Sequence, residues 1–505
     1  MAFAAPIWLL VAAACGDDRD ALGPAPADAG AAPTDARDAS FIEVRDAEAA
    51  PEAGPVDTGA DAGAAPDAAV DAGPPAPLSV DVDIEVPADK PLQARIVITA
   101  NHPATVTVEL TGPGVARTYV RNAPMSGHEI RVVQLRQTTR YDVVVTARAP
   151  GDETAFETTS FRTGALQLTS RMNWSVVVNE PSRVPGLTLF NVFGPNPEYV
   201  AVDAEGHIVW HWIDTGGRAE GLGLIIRQLD AGTFLVRAED GMRVIDAWGD
   251  SRRFYPDTRN LGLGFHHDAV FVPDGNLLVM NAERRSAFVP ALGGQVDLLA
   301  DTVIELDPMG QLVRTWRAFD ALDPSRFPGP MSRQTLGIGY DWSHGNTIHY
   351  RARDDSYLVS LRNQSWVVKV DRTSGQVQWI LGEGGNFTLE EGTWFNGQHT
   401  PSWLGDSEIM IYDNGVELVP QVSRAVVYAI DEENLTARQT WSWQVPFYTG
   451  AVGDVDRIGA HWLITAGTGT PTIFEIDDEG NVIWQLEADR GSIYRAERID
   501  AITLE

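Results

Sequence analysis

Three short stretches each set a histidine at the approach to a strand hairpin. They are His266-His267-Asp268 running on to Asp274, Asp341-Trp342-Ser343-His344-Gly345-Asn346, and Gly397-Gln398-His399-Thr400 running on to Asp406. His267 and His399 precede their hairpin Asp by the same interval. Aligned on their turns, the hairpins put Asn281, Arg362, Asp413 and Ala466 at equivalent places just past the second strand. An imidazole can attack, carry a proton or bind a metal. A guanidinium is always charged and suits an anion with several oxygens. His267, His344, His399, Asn346 and Arg362 in one pocket would therefore suit transfer of an oxyanionic group. Three histidines with Asp268 would also suit zinc, although Arg362 in the same pocket weighs against a cation. A satisfied structural role is the third reading, and the expected one for His349 and His461. Neighbours on a strand face opposite ways, so His266 and His267 compete, and the register match with His399 favours His267.

The elements that must bring these residues together are repeats. Six segments share an apolar residue, an Asp, a turn and an apolar strand, among them Val202-Asp203 with Trp210, Leu306-Asp307 with Trp316, and Ile476-Asp477 with Trp484. Between them lie five further hairpins, at Asp230, Asp274, Asp354, Asp406 and Gly459. Two hairpins per unit make four-stranded blades, so residues 166–505 are predicted to form a six-bladed β-propeller with the five intervening hairpins lining its axis. The 15 tryptophans are then mostly blade packing. From residue 78 to 165, short alternating strands broken by Pro, Gly and Asn predict a small antiparallel β-sandwich. Leu135 to Tyr141 and Thr159 to Thr163 resemble a fibronectin type III domain, with Tyr141 as its corner tyrosine. The fold class is thus all-β.

Ahead of the sandwich the composition changes character. Residues 16–77 carry 14 acidic residues against three arginines and no lysine, amid Ala, Pro and Gly. Such a segment has too little apolar surface to offset its ordering entropy and is expected to be a disordered tether. Residues 1–15 read as a signal peptide, an apolar run too short to span a bilayer that ends at Ala12-Ala13-Ala14-Cys15. Small residues before Cys15 resemble a bacterial lipobox, although position 12 is Ala and no Lys or Arg precedes the run. The expectation is an exported protein in the periplasm or at the outer membrane, lipid-anchored through Cys15, with a soluble exported form as the alternative. Cys15 is the one cysteine, so no disulfide can form within the chain. A net charge of −32 argues against nucleic acid and anionic membrane surfaces as partners.

Taken as a set, the histidine stretches with Leu361-Arg362-Asn363-Gln364-Ser365 and Asp413-Asn414-Gly415 resemble the bacterial arylsulfate sulfotransferases. The resemblance implies a sandwich paired with a six-bladed propeller, and transfer of a sulfo group from a phenolic sulfate donor to a phenolic acceptor. It implies that His399 is the nucleophile and carries a transient sulfo group, supported by His267, His344, Asn346 and Arg362. It also implies a Thr in the last blade, here Thr465, with Thr468 as the alternative. No Gly-rich phosphate loop accompanies these motifs, so no nucleotide donor, and neither cofactor nor metal, is expected. The rival reading is a non-enzymatic propeller lipoprotein that binds an anionic ligand or a protein partner. Oligomeric state is left open, with a homodimer among the readings.

Overall fold

The computed structural model describes residues 76–504, apart from 195, 197, 215–224, 239, 258–260, 328–330, 332–333 and 336–337. The expected signal peptide with Cys15, and all but the last two residues of the acidic tether, lie outside the described residues.

The first strands are Val80–Glu85, Ala94–Gly112, Val115–Val132, Arg140–Arg148 and Thr154–Arg162. The two long ones each serve twice. The start of Ala94–Gly112 pairs with Val80–Glu85 and with the end of Val115–Val132, whereas its later half pairs with Arg140–Arg148. Register shifts fall between Thr99 and Val106, where the neighbour on one edge changes from Val80–Glu85 to Arg140–Arg148. Alternate residues such as Ile96, Ile98, Val106, Val108, Val143 and Val145 turn inward to a single core. The Tyr141 ring is fully buried and stacks on Phe161 at 5.6 Å, while its hydroxyl accepts a hydrogen bond from the Arg136 backbone N–H at 2.8 Å. This is the corner contact that the sequence suggested. Leu92 and Val133 tie the sandwich to the later sheets by entering their apolar cores, and Arg136 Nε bonds to Asp203 at 2.8 Å.

Six sheets succeed the sandwich among the described residues. Each of the six Asp turns joins the third and fourth strands counted from the inner hairpin, for example Glu198–Val202 to Ile208–Ile213 and Trp366–Asp371 to Val377–Leu381. Each of the five other hairpins joins the first two, for example Ile226–Asp230 to Thr233–Ala238 and His399–Leu404 to Glu408–Asp413. The missing sixth inner hairpin is supplied by ring closure. The strand Ala496–Ile499, near the chain end, pairs with Leu187–Val192 and takes the inner position of the first sheet. A second closure puts Trp174–Asn179 on the outer edge of the sixth sheet, against Val482–Ala488.

Every consecutive pair of sheets shares one apolar cluster, the sixth and first included, so the sheets close into a ring. Burial of both faces explains the near-continuous apolar strands such as Tyr199-Val200-Ala201-Val202. Tryptophans fill the seams between sheets. Trp441 stacks on Trp462 at 4.2 Å, Trp210 packs on Phe234, and Trp210 Nε1 donates to the Ala247 carbonyl at 2.8 Å. One departure from regularity bears on the site. Leu277–Val289 and Gly294–Leu306 run on well past Asn281, so Asn281 sits inside a strand while Arg362 and Asp413 lie at strand ends.

Candidate active site

A left-handed residue stands just before or within the start of the first inner strand of the third, fourth and fifth sheets. His267 has φ 49°, His344 φ 47° and Thr400 φ 48°, and Val452 repeats the feature before the sixth at φ 53°. A non-glycine residue held at positive φ is strained and is kept in place by its surroundings. In the fifth sheet Thr400 takes this backbone role, with His399 just before it, so His399 matches His267 by distance from the turn but not by dihedral. In the fourth and fifth sheets register shifts fall close by, between Gly345 and Thr347 and between His399 and Ser402. The bulges re-aim side chains at strand ends.

These ends meet. The His267 ring lies 5.1 Å from that of His344 and 5.9 Å from that of Tyr494, and Tyr494 is 5.9 Å from His399. His267, His344, Asn346, Arg362 and His399 are all buried. Each is held by a different contact. His344 Nδ1 lies 2.6 Å from the Asp341 carboxylate. His399 Nδ1 lies 2.6 Å from Asn414 Oδ1. His267 Nδ1 lies 2.9 Å from His266 Nδ1, and His266 Nε2 lies 3.3 Å from Asp301. His267 therefore faces the other histidines, with His266 behind it. Arg362 opens a single 3-10 turn after Ser356–Leu361, where Nη1 donates to Asn363 Oδ1 at 2.9 Å and Nη2 to the Gly450 carbonyl at 3.0 Å.

Asn346 Nδ2 gives one of its two N–H groups to the Gln398 carbonyl at 2.8 Å, and the Gln398 amide in turn donates to Ser360 and the Trp366 carbonyl. It thus ties the fourth sheet to the residue preceding His399. Thr465 is buried in His461–Ala466 opposite Asp454, and its hydroxyl has no hydrogen-bond partner. Thr468 donates to the Ala451 carbonyl at 3.3 Å, in the loop that also receives Arg362. Neither threonine hydroxyl is hydrogen-bonded to a histidine of the site. His461 is a structural group, paired with Glu475 at 2.7 Å.

Beneath the histidines, Asp268 accepts from Arg495 at 2.8 Å, Arg227 at 3.0 Å and the Ile348 N–H at 3.0 Å. Burial opposes its charge, yet the two guanidiniums hold the Asp268 carboxyl below its ordinary pKa. Asp268 is thus committed to two arginines, which removes it as a metal ligand. Arg495 also donates to the Asn346 carbonyl, as does the Tyr494 hydroxyl. Burial pushes the His399 pKa well below the ordinary value, and the nearby Arg362 charge pushes it further, against the opposing Asn414 hydrogen bond. Burial, then His344 and His266, do the same to His267. Both rings are neutral near pH 7. A neutral imidazole beside a fixed cation, in a buried pocket, can attack an electrophile whose oxygens the cation holds.

Tyr494 and Arg495 were not among the residues expected at the site, nor were Asp341, Asp301 and Asn414, which hold the rings. Asp341 and Asn414 stood inside the motifs themselves. Tyr494 and Arg495 had no local signal because the strand that follows them, Ala496–Ile499, pairs with Leu187–Val192 at the other end of the propeller.

Ring and pocket together define a β-propeller with a histidine-arginine centre. The sequence model of the family described as Arylsulfotransferase (ASST) matches residues 175–471. This chain belongs to the arylsulfotransferase family. It is 27% identical over 319 residues to the arylsulfate sulfotransferase AssT of Escherichia coli O6:H1, a match covering 48% of this chain and 52% of that protein. It is 25% identical over 358 residues to the AssT of Lelliottia amnigena, covering 55% and 59%. The chain thus spans about half the length of the curated relatives it matches. Among solved structures, the periplasmic gluconolactonase PpgL of Pseudomonas aeruginosa aligns over 63% of this chain and 99% of that one, with TM-score 0.35 and 11% identity.

Proposed function

We propose that this protein is an aryl-sulfate sulfotransferase that passes a sulfo group from a phenolic sulfate ester to a phenolic acceptor by way of His399. The convergence of a neutral His399 with His267, His344 and the Arg362 cation carries the reading. In the first step the His399 Nε2 lone pair forms the N–S bond as the S–O(aryl) bond breaks and the phenolate leaves with the electron pair. In the second, the acceptor oxygen bonds sulfur and the pair returns to Nε2. The proton lost by the acceptor balances the one gained by the departing phenolate. Sulfuryl transfer resembles phosphoryl transfer, where charge spread over the oxygens is met by fixed donors. Arg362 is the donor offered to that charge, and His267 and His344 flank it.

Incubation with 4-nitrophenyl sulfate tests the reading. Without acceptor, nitrophenol release should stop near one equivalent of enzyme, and added phenol should restore turnover. Steady release without acceptor would instead show hydrolysis and overturn it. The pH profile is set by the depressed histidine. A group that must be neutral and whose pKa is lowered acts fully above its ordinary value of about 6.5 and fails only well below it. The burst rate should therefore be flat from about pH 8 to 6.5. An acid limb centred at or above about 6.5 would contradict a neutral buried His399.

Export and lipid attachment are proposed on the lipobox-like run ending at Cys15. Expressed in a Gram-negative host, the protein should sediment with membranes, and Cys15→Ser should release it. Equal partitioning of the two forms would remove the anchor.

A further inference from the structure

We propose that Asn414 is a positioning residue that fixes the tautomer of His399, keeping the proton on Nδ1 and leaving Nε2 bare for attack. The inference rests on His399 being the attacking group and explains what readies it.

Donors and acceptors around the amide decide the tautomer. The Asn414 amide nitrogen donates to the carbonyls of Thr449 and Val452, each at 2.8 Å. Flipping the amide would set its oxygen against both carbonyl oxygens, so the hydrogen-bond network fixes which end faces the ring. Oδ1 is therefore the atom 2.6 Å from His399 Nδ1, and an amide oxygen can only accept. Nδ1 must carry the hydrogen. A neutral imidazole has one N–H, so Nε2 keeps its lone pair. When that pair forms the N–S bond, the proton stays between Nδ1 and Asn414 and stabilises the charge that builds on the ring. It stays there when the acceptor oxygen takes the sulfo group and the N–S bond breaks.

The Thr449 end of the loop is itself held. The single Ser423 hydroxyl hydrogen is shared between the Asn414 main-chain carbonyl at 3.0 Å and the Thr449 carbonyl at 3.1 Å, the Thr449 N–H donates to Ser423 Oγ at 2.9 Å, and the Tyr412 and Thr449 hydroxyls are 2.6 Å apart. Gly450, in the same loop, accepts from Arg362. One loop thus orients both the attacking ring and the cation.

Two variants separate this role from a merely structural one. Asn414→Asp keeps an acceptor for Nδ1 but loses both donors to the loop, whereas Asn414→Leu loses both functions. We expect Asn414→Asp, which sets an oxygen against the two loop carbonyls, to lose part of the burst with 4-nitrophenyl sulfate yet to keep His399 Nδ1 protonated. We expect Asn414→Leu to lose roughly 10²–10⁴-fold in burst rate with little change in donor KM, by analogy with the mis-set tautomer of a hydrolase triad. Nitrogen-15 spectra of histidine-labelled enzyme, with the His399 signals assigned by their absence from His399→Ala, should show Nδ1 protonated and Nε2 bare in the wild type. They should show the reverse in Asn414→Leu. A wild-type His399 protonated on Nε2, an Asn414→Asp ring without a proton on Nδ1, or an Asn414→Leu ring that keeps one there, would overturn the proposal. A burst surviving in His399→Ala would instead fail the underlying choice of nucleophile, and the wild-type spectrum would still decide the tautomer.

Discussion

His399→Ala should abolish both the stoichiometric burst of phenol and any covalent sulfo adduct, with turnover falling on the order of 10⁴-fold or more, as when a covalent nucleophile is removed. The wild-type adduct should appear by intact mass after brief exposure to an aryl sulfate without acceptor. It should be acid-labile, as an N–S bond is, and map to the peptide holding His399. The geometry gives the comparison its controls. His344 rests on Asp341 at 2.6 Å and His267 on His266 at 2.9 Å, so each has a partner that would let it donate or accept a proton. After burial, the Arg362 charge is the largest cause that lowers the His399 pKa, so the cation that would hold the sulfuryl oxygens acts on this ring. His344→Ala should slow both steps and leave the adduct on His399. An adduct that persists in His399→Ala, or that maps to His267 or His344, would overturn the assignment while leaving the enzyme class standing.

What could be read in advance was what is local. Each Asp turn and each inner hairpin is a short-range event, so the repeat and the all-β class emerge from alternation and turn residues alone. The Tyr141 corner is equally local, since its partner is the Arg136 backbone. The sixth inner hairpin could not be found because it does not exist as a hairpin. It is made by Ala496–Ile499 meeting Leu187–Val192 from the far end of the propeller. Tyr494 and Arg495 were lost with it, although both touch the site.

Counting residues from the turn located the histidines but not their backbone. The left-handed positions fall on His267, His344 and Thr400, side chains that carry no glycine-like signal. Asn346 shows a second limit. One N–H of its amide serves the Gln398 carbonyl, a partner seen only once the fourth and fifth sheets are placed side by side.

Arg362→Lys keeps the charge and tests the fork. The guanidinium is spread between Asn363 Oδ1 at 2.9 Å and the Gly450 carbonyl at 3.0 Å, which fixes its plane. A lysine ammonium is a compact point charge and cannot span those two acceptors while presenting a planar edge to sulfuryl oxygens. If Arg362 meets charge that develops in the transition state, its loss should cost about 2–4 kcal/mol of barrier. That is a fall of roughly 30- to 1000-fold in kcat, at about 1.4 kcal/mol per tenfold. Since lysine retains the positive charge that helps hold the His399 pKa down, the pH profile of the burst should stay where it is. Arg362→Met, which removes the charge, should move the acid limb upward as well. Turnover near that of wild type in Arg362→Lys would take Arg362 out of the reaction. A fall in rate accompanied by a shifted acid limb would mean that the lysine does not reach the Arg362 position, and that the lost charge rather than the lost fork slows the enzyme.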